Sequence, residues 1–464
     1  MKKNALALAM GFISLTASQA TFAKAGDIVN IAEPFKATVL VDGLESPWEM
    51  LWGKDNQIWI TERQGKNIAT IDPKTGKRTI LYTFENAFAE PPHQGVLGLT
   101  FDPEFLSGKG DNFLYTAYTY NEGDNKFARI VRLSYDPKTN KLADESIIID
   151  KLPASNDHNS GRLRFGPDGK LYYTIGDMGY NQGTHVAKEI LSQHLPTAEQ
   201  VANKDYSLYP GKVLRLNVDG SIPEDNPELN GVKSHVYAYG FRNTQGLAFV
   251  GDRLFATEQG PSTDDELNLI EKGGNYGWPN VAGYKDNSAY VYANWSKAPK
   301  ELQAKFDSNV IPKGVPVTQE SEFTAENFKA PQKTFFTVPN GYNFSDSNCG
   351  ELAFLCWPTV APSSVVYYPK DGKIKEWQNS LLITTLKNGA IYRVKLDGDA
   401  KQVQGDFSKH FKTNNRYRNA LISPDTSKIY VATDAVGYGM GTDNKPNTEM
   451  QNKGAIIVFE YTGK

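Results

Sequence analysis

An imidazole stands beside a carboxylate in Asp157-His158-Asn159-Ser160-Gly161-Arg162, and only 6 of the 464 residues are histidine. The segment is turn-rich, so the pair sits in a loop. With an ordinary pKa of roughly 6.5, an imidazole takes up a proton near neutral pH, which makes His158 a candidate general base. Alone, the segment also reads as a surface-loop histidine next to an aspartate. A second cluster is Gln259-Gly260-Pro261-Ser262-Thr263-Asp264-Asp265-Glu266. Gly260 and Pro261 offer main-chain carbonyls and three acids follow, a set of hard oxygen donors that suits Ca2+. Tyr284, Asp286 and Glu320 could add further oxygens, although an acidic solvated turn accounts for the same residues.

Cations form the third group. Arg242 opens Arg242-Asn243-Thr244-Gln245-Gly246, Lys387 opens Lys387-Asn388-Gly389, and Arg416 and Arg418 lie in Asn414-Asn415-Arg416-Tyr417-Arg418. Each alone reads as a solvated loop charge. Four at comparable places in a repeating chain describe a positive pocket for a polyanionic small molecule, because guanidinium forks match carboxylates. Two cysteines, Cys349 and Cys356, bracket a stretch with Phe354 and run into Trp357-Pro358-Thr359. In an exported chain such a pair defaults to a short-loop disulfide. The bridged loop would hold flat aromatic faces for a sugar or a planar cofactor, or simply fold over the core.

The elements that must position these groups are strands. Helical periodicity is confined to residues 186–192 and 298–305. Elsewhere strand, turn, strand recurs: 49–52 with 58–62, 97–101 with 113–118, 162–165 with 171–175, 246–249 with 253–257, 364–368 with 380–384, and 419–422 with 428–433. Most turns carry Asp, Asn or Gly between apolar-rich strands. Further strands follow at 67–71, 128–134, 389–396 and 454–461. Six such units predict an all-β, six-bladed β-propeller with long inserted loops at 176–209 and 273–348. A β-sandwich is disfavoured, because the unit recurs along the whole chain. In a propeller the loops at one end converge on the axis, which would gather the cations.

Composition narrows the function classes. The net charge is −3, which argues against nucleic acid and an anionic membrane surface as partners. Aromatic content of 12% favours strands and aromatic-lined surfaces. Lys2 and Lys3, an apolar run over 5–15 and the small-residue end Thr21-Phe22-Ala23 read as a secretory signal over residues 1–23, leaving 24–464 as a single propeller domain. No later segment is apolar enough to span a membrane, so a soluble exported chain is expected, and the two-lysine start with no lipobox-type cysteine suits a bacterial periplasm. The sequence has no GxGxxG after a strand, no GxxxxGK[ST], no HExxH and no GxSxG, so Rossmann, P-loop, zinc-protease and α/β-hydrolase readings lack support.

With these residues assembled, the chain resembles the soluble, periplasmic, pyrroloquinoline quinone-dependent glucose (aldose) dehydrogenases. The resemblance covers nearly all of the mature chain. Its most specific stretches are Gly273-Gly274-Asn275-Tyr276-Gly277-Trp278-Pro279-Asn280-Val281-Ala282-Gly283-Tyr284 and the run from Cys349 through Cys356-Trp357-Pro358-Thr359 to Ser364. It implies oxidation of an aldose at its anomeric carbon to the lactone, with pyrroloquinoline quinone (PQQ) and Ca2+ as cofactors and a homodimer as the assembly. By the same resemblance His158 is the base, Asp157 sits at the sugar, Asp265 orients the imidazole and Arg242 stabilises charge on the cofactor. Asn243, Gln259, Thr359, Lys387, Arg416 and Arg418 line the cofactor site. Gly260 and Pro261 offer carbonyls to the cofactor's Ca2+, and Glu266, Tyr276, Ala282, Tyr284, Asp286 and Glu320 serve structural Ca2+.

The chain departs from the pattern on the substrate side. His93-Gln94-Gly95 stands where the family has Gln-Asn-Gly, so His93 replaces a sugar-contacting glutamine unless Gln94 shifts in. Phe354 stands where the family has tyrosine, next to Trp357, and the loop at 120–127 is shorter. These changes bear on which aldose is preferred. Two other functions compete: a Ca2+-dependent propeller lactonase or esterase using His158 and a metal-bound water, and a non-catalytic sugar-binding propeller. The electron acceptor is not legible.

Overall fold

A computed structural model describes residues 34–345 and 347–463. The segment expected to be a secretory signal lies outside the described residues. Six four-stranded antiparallel sheets form the blades of a propeller. In chain order, the first five begin with the innermost strands Pro47–Trp52, Val96–Phe101, Leu163–Phe165, Thr244–Val250 and Pro362–Tyr368. The sixth begins with Tyr417–Ile422, and its outermost strand is Phe35–Val41 from the start of the described chain, paired with Ile456–Tyr461. Innermost strands of neighbouring blades pack on one another around the whole ring.

The middle strands of each blade are buried on both faces, as in Ile58–Glu62 and Leu171–Ile175. Apolar side chains from adjacent blades interleave. Trp59 and Ile68 of the first blade meet Val96, Leu99 and Tyr118 of the second. The apolar-rich strands therefore become the facing surfaces of stacked sheets, and their Asp, Asn and Gly turns fall at the ends.

Five of the six innermost strands carry a bulge close to their start. In four of them the extra residue is Trp48, Gln245, Ser363 or Arg418. A bulge re-aims one residue and bends the strand. Three of these residues, Trp48, Gln245 and Ser363, meet Arg162. That guanidinium donates to Glu49 Oε2 at 2.6 Å, to the Gln245 carbonyl at 2.8 Å and to the Ser363 carbonyl at 2.9 Å, and it covers the Trp48 ring at 4.0 Å. Asn419 donates to the same glutamate at 2.9 Å. One buried side chain thus ties the third blade to the first, fourth and fifth, and Glu49 extends the link to the sixth.

The six-unit expectation holds, whereas the helical ones need correction. Residues 186–192 form no helix. Lys212 explains why: its buried ammonium takes the Leu191, Ser192 and Pro210 carbonyls at 3.0, 3.0 and 2.7 Å, which holds that segment as irregular chain. The helix of this insertion lies at Ala198–Ala202, started by a capping box between Thr197 and Gln200. Within 298–305 only Lys300–Gln303 is α-helical. Cys349 and Cys356 are bonded to each other.

Candidate active site

His158 sits in the loop that leads into the third innermost strand, and it is buried at 6% exposure. Its φ is 45°, an uncommon conformation for a bulky residue and one often found where function holds the backbone. Gly176 makes the arrangement possible, since a Cβ there would lie 1.9 Å from the His158 carbonyl oxygen. The next residue, Asp177, brings Oδ1 to 2.7 Å from His158 Nδ1. Gly179 N–H and Trp278 Nε1–H donate to the same carboxylate at 2.9 and 2.8 Å. A carboxylate on Nδ1 fixes the proton there and leaves the Nε2 lone pair to face outward. Nε2 lies 3.6 Å from Asp157 Oδ1 and 3.5 Å from Gln182 Nε2.

The imidazole is therefore oriented by Asp177. Asp265, expected in that role, instead accepts main-chain N–H bonds from Gly260, Val360 and Ala361 at 2.8, 2.5 and 2.7 Å. Burial pushes its carboxyl up to about 6, against those donors and Lys387. Its work is to pin the 259–264 turn to the chain entering the fifth blade. The signal for Asp177 was a glycine-aspartate pair at the end of Leu171–Ile175, at the same rim as the histidine loop.

A cavity of about 570 Å3 opens beside Asp157 and Gln182, the two residues next to Nε2, and the imidazole itself stands just behind its lining. His93, Asp157, Gln182, Arg242, Trp278 and Trp357 line it. His93 Nε2 lies 3.2 Å from Asp157 Oδ1. Burial opposes the charge on Asp157, but His158, His93 and Arg242 outweigh it and hold the carboxyl below its usual range. Arg242 donates to Gln182 Oε1 at 3.2 Å and to the Gln259 carbonyl at 3.1 Å, and its Nε has no hydrogen-bond partner among the described residues. Trp278→Phe removes the hydrogen bond on Asp177 Oδ2 while keeping the aromatic wall. A net hydrogen bond is worth about 1 kcal/mol, so turnover is expected to fall roughly fivefold, measured as kcat at saturating substrate.

The remaining predicted residues divide between places. Ser160 and Gln245 both donate to Asn243 Oδ1, at 3.2 and 2.9 Å, and Asn243 donates to Gln259 Oε1 at 3.1 Å. Gln245 Oε1 accepts from Arg418 at 3.2 Å, and Arg418 donates to Asp434 at 2.6 Å. Arg416 Nε lies 3.7 Å from the same carboxylate. An unbroken polar chain thus joins Arg242 to Arg418. Lys387 and Thr359, bonded at 2.7 Å, line an adjoining cleft of about 790 Å3, and Trp357 borders both spaces. Burial lowers the Lys387 ammonium to about 7 despite Asp265.

Two substrate-side expectations change. Gln94 is fully buried and does not line this cavity, so of that pair only His93 borders it. Phe354 is 41% exposed and stands outside the cavity lining, and it is its carbonyl that Lys387 approaches.

The oxygen-rich residues gather around the 282–287 turn. Glu266 accepts from Gly283 N–H at 2.6 Å, and Glu320 accepts from the N–H groups of Ala282, Asp286 and Asn287 at 3.1, 3.3 and 2.9 Å. Burial pushes the Glu266 carboxyl up to about 8 and the Glu320 carboxyl up to about 7. Glu258, not singled out from sequence, is raised by burial and by Glu266, while it accepts Arg242 N–H at 2.5 Å. Among the described residues no three His, Cys, Asp or Glu side chains assemble as a metal-ligating group, so a cation here would draw on carbonyls as well as carboxylates. The Tyr276 hydroxyl is committed to the Leu269 carbonyl and Glu271 N–H, which leaves only its main chain for such a role.

The sequence profile of the Glucose / Sorbosone dehydrogenase family matches residues 44–329 and 343–439. The chain belongs to this family. Quinoprotein glucose dehydrogenase B of Acinetobacter calcoaceticus is 45% identical, over 97% of this chain and 95% of that protein. An aldose sugar dehydrogenase of Escherichia coli is 25% identical over 85% of this chain and 89% of its own length. Among solved structures, the PQQ-bound aldose sugar dehydrogenase of Streptomyces coelicolor has a TM-score of 0.61 at 24% identity, covering 93% of this chain and 99% of that one. That likeness carries the fold, and the propeller of this glucose/sorbosone dehydrogenase family member agrees with it.

Proposed function

We propose that the protein is a quinoprotein oxidoreductase that oxidises glucose or a related aldose at the anomeric carbon to the lactone. The observation that carries this reading is the His158 imidazole, clamped at Nδ1 by Asp177, with its Nε2 beside Asp157 and Gln182, two residues that line the cavity. Nε2 takes the proton of the anomeric hydroxyl, which makes loss of the C1 hydride easier. The Asp177 carboxylate stabilises the imidazolium that results, and Asp157 and Gln182 orient sugar hydroxyls. PQQ, when bound, supplies the two-electron acceptor for that hydride.

The residues present fit such a cofactor. Arg242, Arg416 and Arg418 each keep a buried Nε without a hydrogen-bond partner among the described residues, as a site for a carboxylated ligand requires. Buried carboxyls with raised pKa values beside main-chain oxygens fit Ca2+, drawing on Gly260 and Pro261 at the cofactor and on Glu266, Ala282, Tyr284, Asp286 and Glu320 further out. A cationic wall and a divalent ion stabilise charge that develops during the reaction more than they stabilise the ground state. Export to the periplasm and assembly as a homodimer complete the proposal.

The test is reconstitution. Apoprotein given PQQ and Ca2+ is expected to reduce an artificial dye with glucose and other aldoses, and chelation of the ion is expected to abolish that reduction. Lactone cleavage without the quinone would instead establish a hydrolase, and neither activity a binding protein.

A further inference from the structure

Arg63 lies just beyond the second strand of the first blade, buried at 1% exposure. Neither the family resemblance nor the residues around the cavity gave it a task. Its backbone is pinned on both sides: Arg63 N–H donates to the Ser46 carbonyl, and its own carbonyl accepts from Val96 N–H. Gly95 passes so close that a Cβ there would lie 1.9 Å from the Arg63 carbonyl oxygen. The side chain is thereby aimed at the axis from a fixed position.

What it meets there is a shortage of negative charge. Arg63 Nη2 is 3.9 Å from Asp434 Oδ1, an ion-pair distance too long for a hydrogen bond. The same carboxylate also serves Arg418 and Arg416. Three guanidinium groups therefore share one carboxylate, and Arg162 stands near enough to Arg418 to add to the repulsion. Nε and Nη2 of Arg63, Nε of Arg416 and Nε of Arg418 have no hydrogen-bond partner among the described residues. Both polar atoms of the neighbouring Gln94 amide are in the same condition. Buried cations of like sign, with donors left over, are costly unless an anion completes them.

A small chamber lined by Arg63 and Arg418 has room for about one water-sized atom, such as a single carboxylate oxygen. Ser160 and Gln245 complete its wall, and His93 connects it to the large cavity.

We propose that Arg63 is an anion-binding residue that closes, with Arg416 and Arg418, a three-arginine cradle for one carboxylate of the bound cofactor. This rests on the quinoprotein reading above. The chemistry it recognises, a planar carboxylate, is shared with free small acids, so the test needs both ligands.

Wild-type, Arg63→Gln and Arg63→Lys apoproteins would be titrated with PQQ in the presence of Ca2+, following quenching of tryptophan fluorescence, with acetate titrated separately. Failure of the wild-type protein to bind the quinone would overturn the quinoprotein reading and the cradle with it. If the wild-type protein binds, Arg63→Gln is expected to weaken the quinone by roughly 10- to 100-fold, the scale of a charge-assisted hydrogen bond, while the thermal midpoint of the apoprotein stays the same or rises as repulsion is relieved. Arg63→Lys keeps the charge but loses the fork, so it is expected to remain several-fold weaker than wild type. Should the glutamine variant fail to fold, the lysine variant decides: wild-type affinity in it overturns the cradle. Unchanged quinone affinity in both variants, or an acetate effect that depends on Arg63 while quinone affinity does not, overturns the assignment to the cofactor.

Discussion

His158→Ala is expected to lower kcat for aldose oxidation by roughly 10²–10⁴ while the affinity for PQQ stays within a few-fold of wild type. The separation follows from geometry. His158 places Nε2 beside Asp157 and Gln182 at the cavity and its partner at Nδ1 is Asp177, whereas the cationic groups that would hold the quinone lie along the Gln259–Asn243–Gln245–Arg418 chain. Steady-state dye reduction and a quinone titration on the same preparation check the two halves. Full activity in the alanine variant would remove His158 from the chemistry. Asp177→Asn is a companion test. An amide that presents its NH2 group to Nδ1 favours the wrong tautomer and takes the lone pair from Nε2, so kcat is again expected to fall with little change in quinone binding.

Glu49→Gln is expected to cost about 3–5 kcal/mol of stability, because it leaves the buried Arg162 and the partly buried Arg164 without their countercharge. The carboxylate lies 2.6 Å from one guanidinium and 2.7 Å from the other. A control is Glu460→Gln, which breaks a half-exposed pair with Lys428 at 3.4 Å and is expected to cost less than about 1 kcal/mol. Urea unfolding of the three proteins measures both. The pH dependence has a definite sign. Burial alone would raise the Glu49 carboxyl, but Arg162 and Arg164 outweigh it and hold the folded-state pKa below the ordinary value. The contribution of Glu49 is therefore complete above the unfolded-state pKa of roughly 4.3 and fades as pH falls through the lower folded-state value. The stability gap between wild type and the variant should narrow over that acid range and stay constant above it.

Much of the ring was legible because its signals are local. Turn residues between apolar-rich strands marked each blade, and the observed strands agree with those pairs closely. The false helix over 186–192 shows the limit. Its apolar spacing suits a helix, but the Lys212 ammonium captures the carbonyls of its end, a contact made across the insertion. The site divides in the same way. His158, Arg242 and the oxygen-rich run were visible as residue types in loops. The carboxylate behind the imidazole was not, since Asp177 and Asp265 are both aspartates at the rim and only the fold decides which of them reaches Nδ1. Arg63 was invisible for a similar reason, because its neighbours come from the far end of the chain.

The sixth sheet borrows Phe35–Val41, so the circle is shut by a clasp between segments almost the whole polypeptide apart. Closing so long a loop has a large entropy cost that is repaid only at the end of folding. Arg63 follows Phe35–Val41 along the chain and Arg416 and Arg418 precede Ile456–Tyr461, so the three guanidiniums become neighbours only once the clasp is fastened. Capture of the redox ligand then belongs among the last steps of maturation, and a chain lacking the Phe35–Val41 segment should bind it poorly even if the other five sheets have formed.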